Sequence, residues 1–238
     1  MTTVHKIDRS EIDAVAGGFY TVQEAARLLN IANPTRVKDW LQGRKNVKSG
    51  PVLLRQYQPV GTVQELGFWD LIEVRFVDHF RAHGVSLQAL RKAAQTAREV
   101  LKQQHPFATS TAKFLTDRKT IFQETAEATK DKVLLDLVTR QYAMYVFLEE
   151  LLDRSLAFDP ATGLAREWRP RLKEFPNIVV SPRLAYGQPV AAPANVPTAR
   201  IYDTWKAEGG SFAAVVDWYG VDEKLAREAV EFELGLIL

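Results

Sequence analysis

Arg36 and Lys38 stand two residues apart, and Arg44, Lys45, Lys48 and Arg55 follow closely behind them. Clustered guanidinium and ammonium groups are ligands for phosphate, and a guanidinium can also engage the O6 and N7 of a guanine together. From Tyr20 to Gln58 seven basic residues face two acidic ones, a net +5, whereas from Ile201 to Leu238 three basic residues face eight acidic ones, a net −5. The whole-chain charge of +2 hides this division. A polyanion would be drawn to the first segment and repelled by the last. A charge run by itself is an ordinary solvated face, so the elements that carry these cations decide the matter.

Val22, Ala25, Ala26 and Leu29 recur at the spacing of one helical face. Thr21 is placed to cap that helix, with Glu24 completing a capping box. After a turn over Asn30 to Asn33, Pro34 suits the first position of a second helix. That helix presents Arg36 and Lys38 outward, turns Val37, Trp40 and Leu41 back toward the first, and ends at Gly43. Lys48 to Pro51 then break the chain, and Val52 to Leu54 predict a strand, so that Arg44 to Tyr57 form a basic wing. Capped helix, turn, second helix and wing together point to duplex DNA, with Thr21, Thr35, Arg36, Lys38, Arg44, Lys45, Lys48 and Arg55 as candidate DNA-binding residues. The wing cations would mainly neutralise phosphates, and the second helix would meet base edges.

Other groups carry less chemistry. His79 and His83 share a helical face, but without a carboxylate or third histidine in pattern they read as surface or interface residues rather than metal ligands. Asp203, Asp217 and Asp222 fall near helix ends, where capping accounts for them. Core packing is the default for Trp40, Trp69, Trp168, Trp205 and Trp218, while Tyr202, Trp205, Trp218 and Tyr219 form a candidate partner-binding surface. There is no cysteine, and no phosphate loop, nucleophile elbow or kinase set appears. No catalysis, metal or cofactor is expected. The start lacks the features of a signal peptide and no apolar run reaches membrane-spanning length, which predicts a cytoplasmic protein.

The rest of the chain predicts a short helix at Ser10 to Val15, helices from Phe68 to His83 and from Ser86 to about Lys102, and a boundary at Gln103 to Pro106. Lys113 to Asp117 and Thr120 to Gln123 suit short strands, and Arg140 to Arg154 a helix. Ser155 to Phe158 and Leu164 to Trp168 flank a loop typical of a hairpin, and Asn177 to Val180 is a further strand. Helices are expected over Thr198 to Ala207, Ser211 to Tyr219 and Asp222 to Leu234, the first two separated by Gly209 and Gly210. The fold class is mainly α with small β elements (α+β). Its expected units are 1–104, a winged helix-turn-helix with following helices; 105–175, a mixed central region; and 176–238, a helical domain.

Tyr20 to Ala26, Thr35 to Trp40, Leu54 to Tyr57 and Leu71 to Ala89 resemble the winged helix-turn-helix of MerR-type regulators and the helix pair that follows it. Asn177 to Val190, Val196 to Thr198 and Val215 to Val221 resemble a small domain of bacterial antitoxins often encoded beside PIN-domain ribonuclease toxins; Gly187, Pro189, Pro197 and Thr198 match its pattern. The combination is similar to VapB-type antitoxins. That resemblance implies a C-terminal three-helix unit with a helix-turn-helix-like core, a homodimer on a palindromic operator of its own promoter, and a second surface that holds a PIN-domain toxin inactive. Paired recognition helices spaced by a helical turn would supply the operator specificity. The alternative is a MerR-like transcription regulator that binds a small molecule in the centre, from Ala112 to Trp168.

Overall fold

The computed structural model of the chain describes residues 17–43, 50–57, 65–139 and 155–237, with side chains throughout except at 111–119 and 237. Helix α1 (Val22–Leu28) starts where the Thr21 hydroxyl accepts the Glu24 amide at 3.1 Å and the Glu24 carboxylate accepts the Thr21 amide at 2.7 Å. Two amides that the helix cannot satisfy itself are thereby paired. Helix α2 (Pro34–Gln42) starts on Asn33, whose side chain accepts the Thr35 amide at 3.0 Å, and ends at Gly43 with φ of +77°. Val37, Trp40 and Leu41 of α2 are buried as the spacing predicts, against Ala25 and Ala26 of the predicted α1 face; Leu28 is buried beside them, while Val22 and Leu29 are only partly buried.

The expected strand at Val52 to Leu54 does not form. The amides of Val52 and Leu53 both donate to the Trp40 carbonyl, at 2.8 and 3.1 Å, and their side chains are buried. Donors committed to a helix end cannot also pair with a neighbouring strand. Tyr20 closes this unit by exchanging backbone hydrogen bonds with Leu66 at 2.9 and 2.8 Å. Arg44, Lys45 and Lys48, like the helices expected at Ser10 to Val15 and Arg140 to Arg154, lie outside the described residues.

Helix α3 (Phe68–Ala82) and helix α4 (Leu87–Leu101) flank Gly84, and Ser86 caps α4 by accepting the Ala89 amide at 3.1 Å. Past α4, a 3-10 turn at Pro106–Ala108 drives Phe107 into the core, where it stacks on Phe76 at 4.0 Å. Phe76 stacks on Phe80 at 4.6 Å, and Phe80 meets Phe122 at 5.2 Å. Phe122 belongs to helix α5 (Thr111–Thr129), which replaces the two strands expected at Lys113 to Asp117 and Thr120 to Gln123. Ile121, Phe122, Thr125 and Ala126 are all buried, a helical stripe lying on α4. Tertiary packing overrides the β-preference of Thr, Ile and Phe. Helix α6 (Lys132–Thr139) folds back on α5.

A buried charged cluster joins α3 to the segment before Pro106. Asp70 accepts the amides of Gly67 and Gln56 at 3.0 and 2.9 Å, and Glu73 accepts the Phe107 amide at 3.1 Å. His105 Nδ1 sits 3.2 Å from Glu73 and 3.8 Å from Asp70, and water reaches almost none of the three.

The C-terminal part opens with the expected hairpin, β1 (Leu156–Phe158) and β2 (Ala165–Trp168). Trp168 and Val180 exchange backbone bonds at 2.8 and 2.7 Å and so tie it to an antiparallel sheet of β3 (Ile178–Val179), β4 (Val190–Ala191) and β5 (Val196–Pro197). Helices α7 (Thr198–Ala207), α8 (Phe212–Tyr219) and α9 (Glu223–Ile237) follow and pack on one another. Gly209 and Gly210, at φ of +63° and +89°, make the break between α7 and α8. Helix α9 also touches β3, β4 and α1, which joins the last segment to the first. The protein is mainly α-helical with small antiparallel sheets. Among the described residues no helix is long and apolar enough to cross a membrane.

Candidate nucleic-acid interface

The two caps and the α1–α2 contact fix the outer face of α2. Thr35, Arg36 and Lys38 lie on it, exposed, while Val37 and Trp40 turn inward. Thr21 is exposed at the start of α1, its hydroxyl occupied by capping. Arg36 points outward but not into open solvent. Its Nη2 lies 3.1 Å from Asp78 Oδ1 of α3, and its guanidinium stacks 5.1 Å over the Trp40 ring. Burial raises the Asp78 carboxyl above its ordinary range, and the Arg36 charge opposes that rise.

Arg55 occupies a different setting. It is half-buried, with Nη2 donating to the Glu65 carbonyl at 2.7 Å and Nε and Nη1 enclosed without a hydrogen-bond partner among the described residues. In this position it ties its segment to the residues that lead into α3. Two residues on this face carry no local sequence signal. Arg91 of α4 reaches across to the carbonyls of Gly50 and Pro51, at 3.1 and 3.2 Å, and ties that segment to α4. Gln56 accepts the Trp69 amide at 3.1 Å, while its own amide is held by Asp70. Both join positions far apart in sequence, so only the fold reveals them.

The aromatic residues of the last segment divide. Tyr202 and Trp205 lie 6.1 Å apart, Trp205 lies 5.8 Å from Phe212, and the Tyr219 hydroxyl bonds Thr204 Oγ1 at 2.8 Å, so these three candidate residues sit within the α7–α8 seam. Trp218 stands apart at 71% exposure, contrary to the core packing expected by default. Its place on α8 points it away from the seam, beside exposed Asp217. Asp222 caps α9 by accepting the Leu225 amide at 2.7 Å, as its position predicts.

His79 and His83 have ring centres 4.8 Å apart, yet His83 Nδ1 is engaged with the His79 carbonyl at 2.8 Å. Among the described residues no group of His, Asp and Glu is arranged to hold a metal. A cleft of about 370 Å³ lies where α1 meets the C-terminal part, lined by Phe19, Arg27, Tyr186, Pro189, Glu233 and Leu236 among others. Among the described residues, none from Ala112 to Trp168 lines it. Across the cleft's base Arg27 Nε donates to the Leu236 carbonyl at 3.3 Å and the Tyr20 hydroxyl donates to the Gly187 carbonyl at 2.8 Å. Burial raises the Glu233 carboxyl, and the Thr198 hydroxyl that donates to it works against the rise.

No protein-family model matches the chain. A Mycobacterium tuberculosis protein named "Putative antitoxin VapB45" is 28% identical to it, over 89% of this chain and 92% of the relative. The crystal structure of Rv2018 from Mycobacterium tuberculosis matches with a TM-score of 0.66 at 25% identity, covering 89% of this chain and 96% of that one.

Proposed function

We propose that the chain is the antitoxin of a toxin–antitoxin pair, a cytoplasmic homodimer that binds operator DNA, represses its own operon and neutralises a PIN-domain ribonuclease. The observation that carries this reading is the end-to-end likeness to a protein named as an antitoxin, 89% of one chain on 92% of the other. The exposed face of α2 supports the DNA half. Thr35, Arg36 and Lys38 lie exposed on the second helix of a capped pair, where a major groove could receive them; Thr21 and the cations Arg44, Lys45, Lys48 and Arg55 are assigned to phosphates on their chemistry alone. The exposed Trp218, backed by Tyr202, Trp205 and Tyr219 on an acidic segment, supports a surface for a partner that itself binds a polyanion. The units 1–104 and 176–238 divide these tasks, 105–175 joins them, and no catalytic step is assigned to the chain.

Measurements of growth, of association and of DNA binding test the reading. Co-expression with the neighbouring open reading frame should restore growth that this frame alone arrests, and the two chains should co-purify. Trp218→Ala should weaken the complex at least tenfold while leaving the folding free energy within about 0.5 kcal/mol of wild type, since an exposed ring supports little of the fold. A duplex from upstream of the gene should bind with affinity that falls steeply as salt rises. Absence of both rescue and salt-dependent DNA binding would dispose of the proposal.

A further inference from the structure

The cation best placed on α2 to read a base is held by a carboxylate of the same chain. Arg36 and Asp78 are 3.1 Å apart, with side chains 44% and 29% exposed, so water and an incoming ligand both reach the pair. The partners are firmly mounted. Arg36 lies over Trp40, which is 3% exposed, and Asp78 rides on α3 between the buried Val77 and Phe80. A polyanion approaching α2 therefore meets Arg36 already partly neutralised, with a negative charge directly behind it.

Phosphate and guanine make different demands on such a pair. A phosphate that takes Arg36 from Asp78 exchanges one anion for another and leaves the freed carboxylate facing the charged backbone. A guanine edge is neutral and offers O6 and N7 together, which the planar guanidinium fork matches with two hydrogen bonds. The carboxylate thus penalises backbone contact more than base contact. Trp40 adds to this by holding the guanidinium plane in one orientation, which lowers the ordering cost of a two-point contact.

We infer that Asp78 is a specificity-determining residue of the DNA-reading face, one that withholds Arg36 from phosphates and releases it to a base edge. This rests on the DNA-binding reading above. Asp78 touches no DNA in this scheme and acts through Arg36.

The test uses the full chain with two duplexes: the region upstream of its own gene and a scrambled duplex of the same length and composition. Asp78→Asn keeps the shape and removes the charge. It should raise affinity for the scrambled duplex roughly two- to fivefold, the scale of an exposed ion pair. The salt dependence on that duplex should steepen by close to one phosphate contact, about −0.9 in the log–log slope. Affinity for the upstream duplex should rise less, so the ratio between the two falls. In an Arg36→Gln background the same change should do almost nothing. Equal gains on both duplexes, no gain on either, or a gain that survives Arg36→Gln would each overturn the inference, the last because Asp78 would then act only as a distant charge. Asp78→Ser, checked by its melting curve, gives the same readouts if the asparagine variant folds poorly. Failure of the wild-type chain to bind either duplex is a separate result that removes the DNA-binding reading itself, and this inference with it.

Discussion

At position 105 an imidazole sits between two carboxylates that water scarcely reaches, and that setting makes the fold sensitive to pH. Burial pushes the Asp70 carboxyl up to about 6, against the amides of Gly67 and Gln56 and the nearby His105 that favour its charged form. Burial works to lower the His105 value, but the hydrogen bond and charge of Glu73 and the charge of Asp70 prevail and hold it above the ordinary histidine range. Both groups bind protons more tightly in the folded chain than in the unfolded one. Their contribution to stability is therefore complete at low pH. It declines as pH rises, for Asp70 between 3.8 and about 6, and for His105 from 6.5 upward. The melting midpoint of the wild-type chain should accordingly fall from pH 6.5 to pH 8. His105→Gln should melt lower at pH 6.5 and show a flatter profile across that range. A wild-type midpoint that holds steady or climbs there would show that the histidine is not charged in the fold.

Helix α1 is short, and it touches both α2 and α9. Seven residues long, it cannot persist by propensity, and its start depends on the reciprocal Thr21–Glu24 bonds. Thr21→Ala should cost about 1 kcal/mol, a fall of roughly 2–4 °C in melting midpoint for a chain of this size. Thr21→Ser should restore most of it, since the hydroxyl and not the methyl makes the cap; equal losses in the two variants would refute that assignment. This helix, α2, α3, α4 and the last three were legible in the sequence from their apolar periods together with a capping side chain at α1, α2, α4, α8 and α9 or a glycine just past the end of α2, α3, α7 and α8. Helix α5 was not, for its Phe, Ile and Thr residues carry strand preference, and its buried stripe of Ile121, Phe122, Thr125 and Ala126 makes sense only against α4. Val52 to Leu54 misled in the same way, being strand-like residues whose amides a helix carbonyl claims. The outward face of α2 could be read from its period. The pairings that shape it, Arg36 with Asp78 and Arg91 with Gly50 and Pro51, join distant positions and leave no local pattern to read.

At the scale of the whole molecule, the basic and acidic ends are joined along one seam, and a single glycine sets how closely they meet. Gly187 has φ of +90°, and a Cβ there would fall 2.5 Å from the Tyr20 hydroxyl oxygen and 3.1 Å from Gly18 Cα. Tyr20 also donates its hydroxyl to the Gly187 carbonyl, and the Phe19 amide donates to the Tyr186 carbonyl at 3.2 Å. The backbone of the last segment thus abuts the entry to α1, and α9 touches α1 beyond it. Gly187→Ala brings both a disfavoured backbone conformation and a clash with an immovable neighbour, a combined loss of about 1–3 kcal/mol. If the seam behaves as one unit, its amides open together. Hydrogen exchange in the variant should then rise in concert at residues 19–28 and 186–188, while the stacked core of α3 and α4 keeps its protection. Faster exchange confined to the neighbours of position 187, or spread evenly through the chain, would show that no such unit exists. A seam that opens as a unit gives each end a way to sense the other, because any ligand that prefers the closed seam at one end must favour its closure at the other by the same factor.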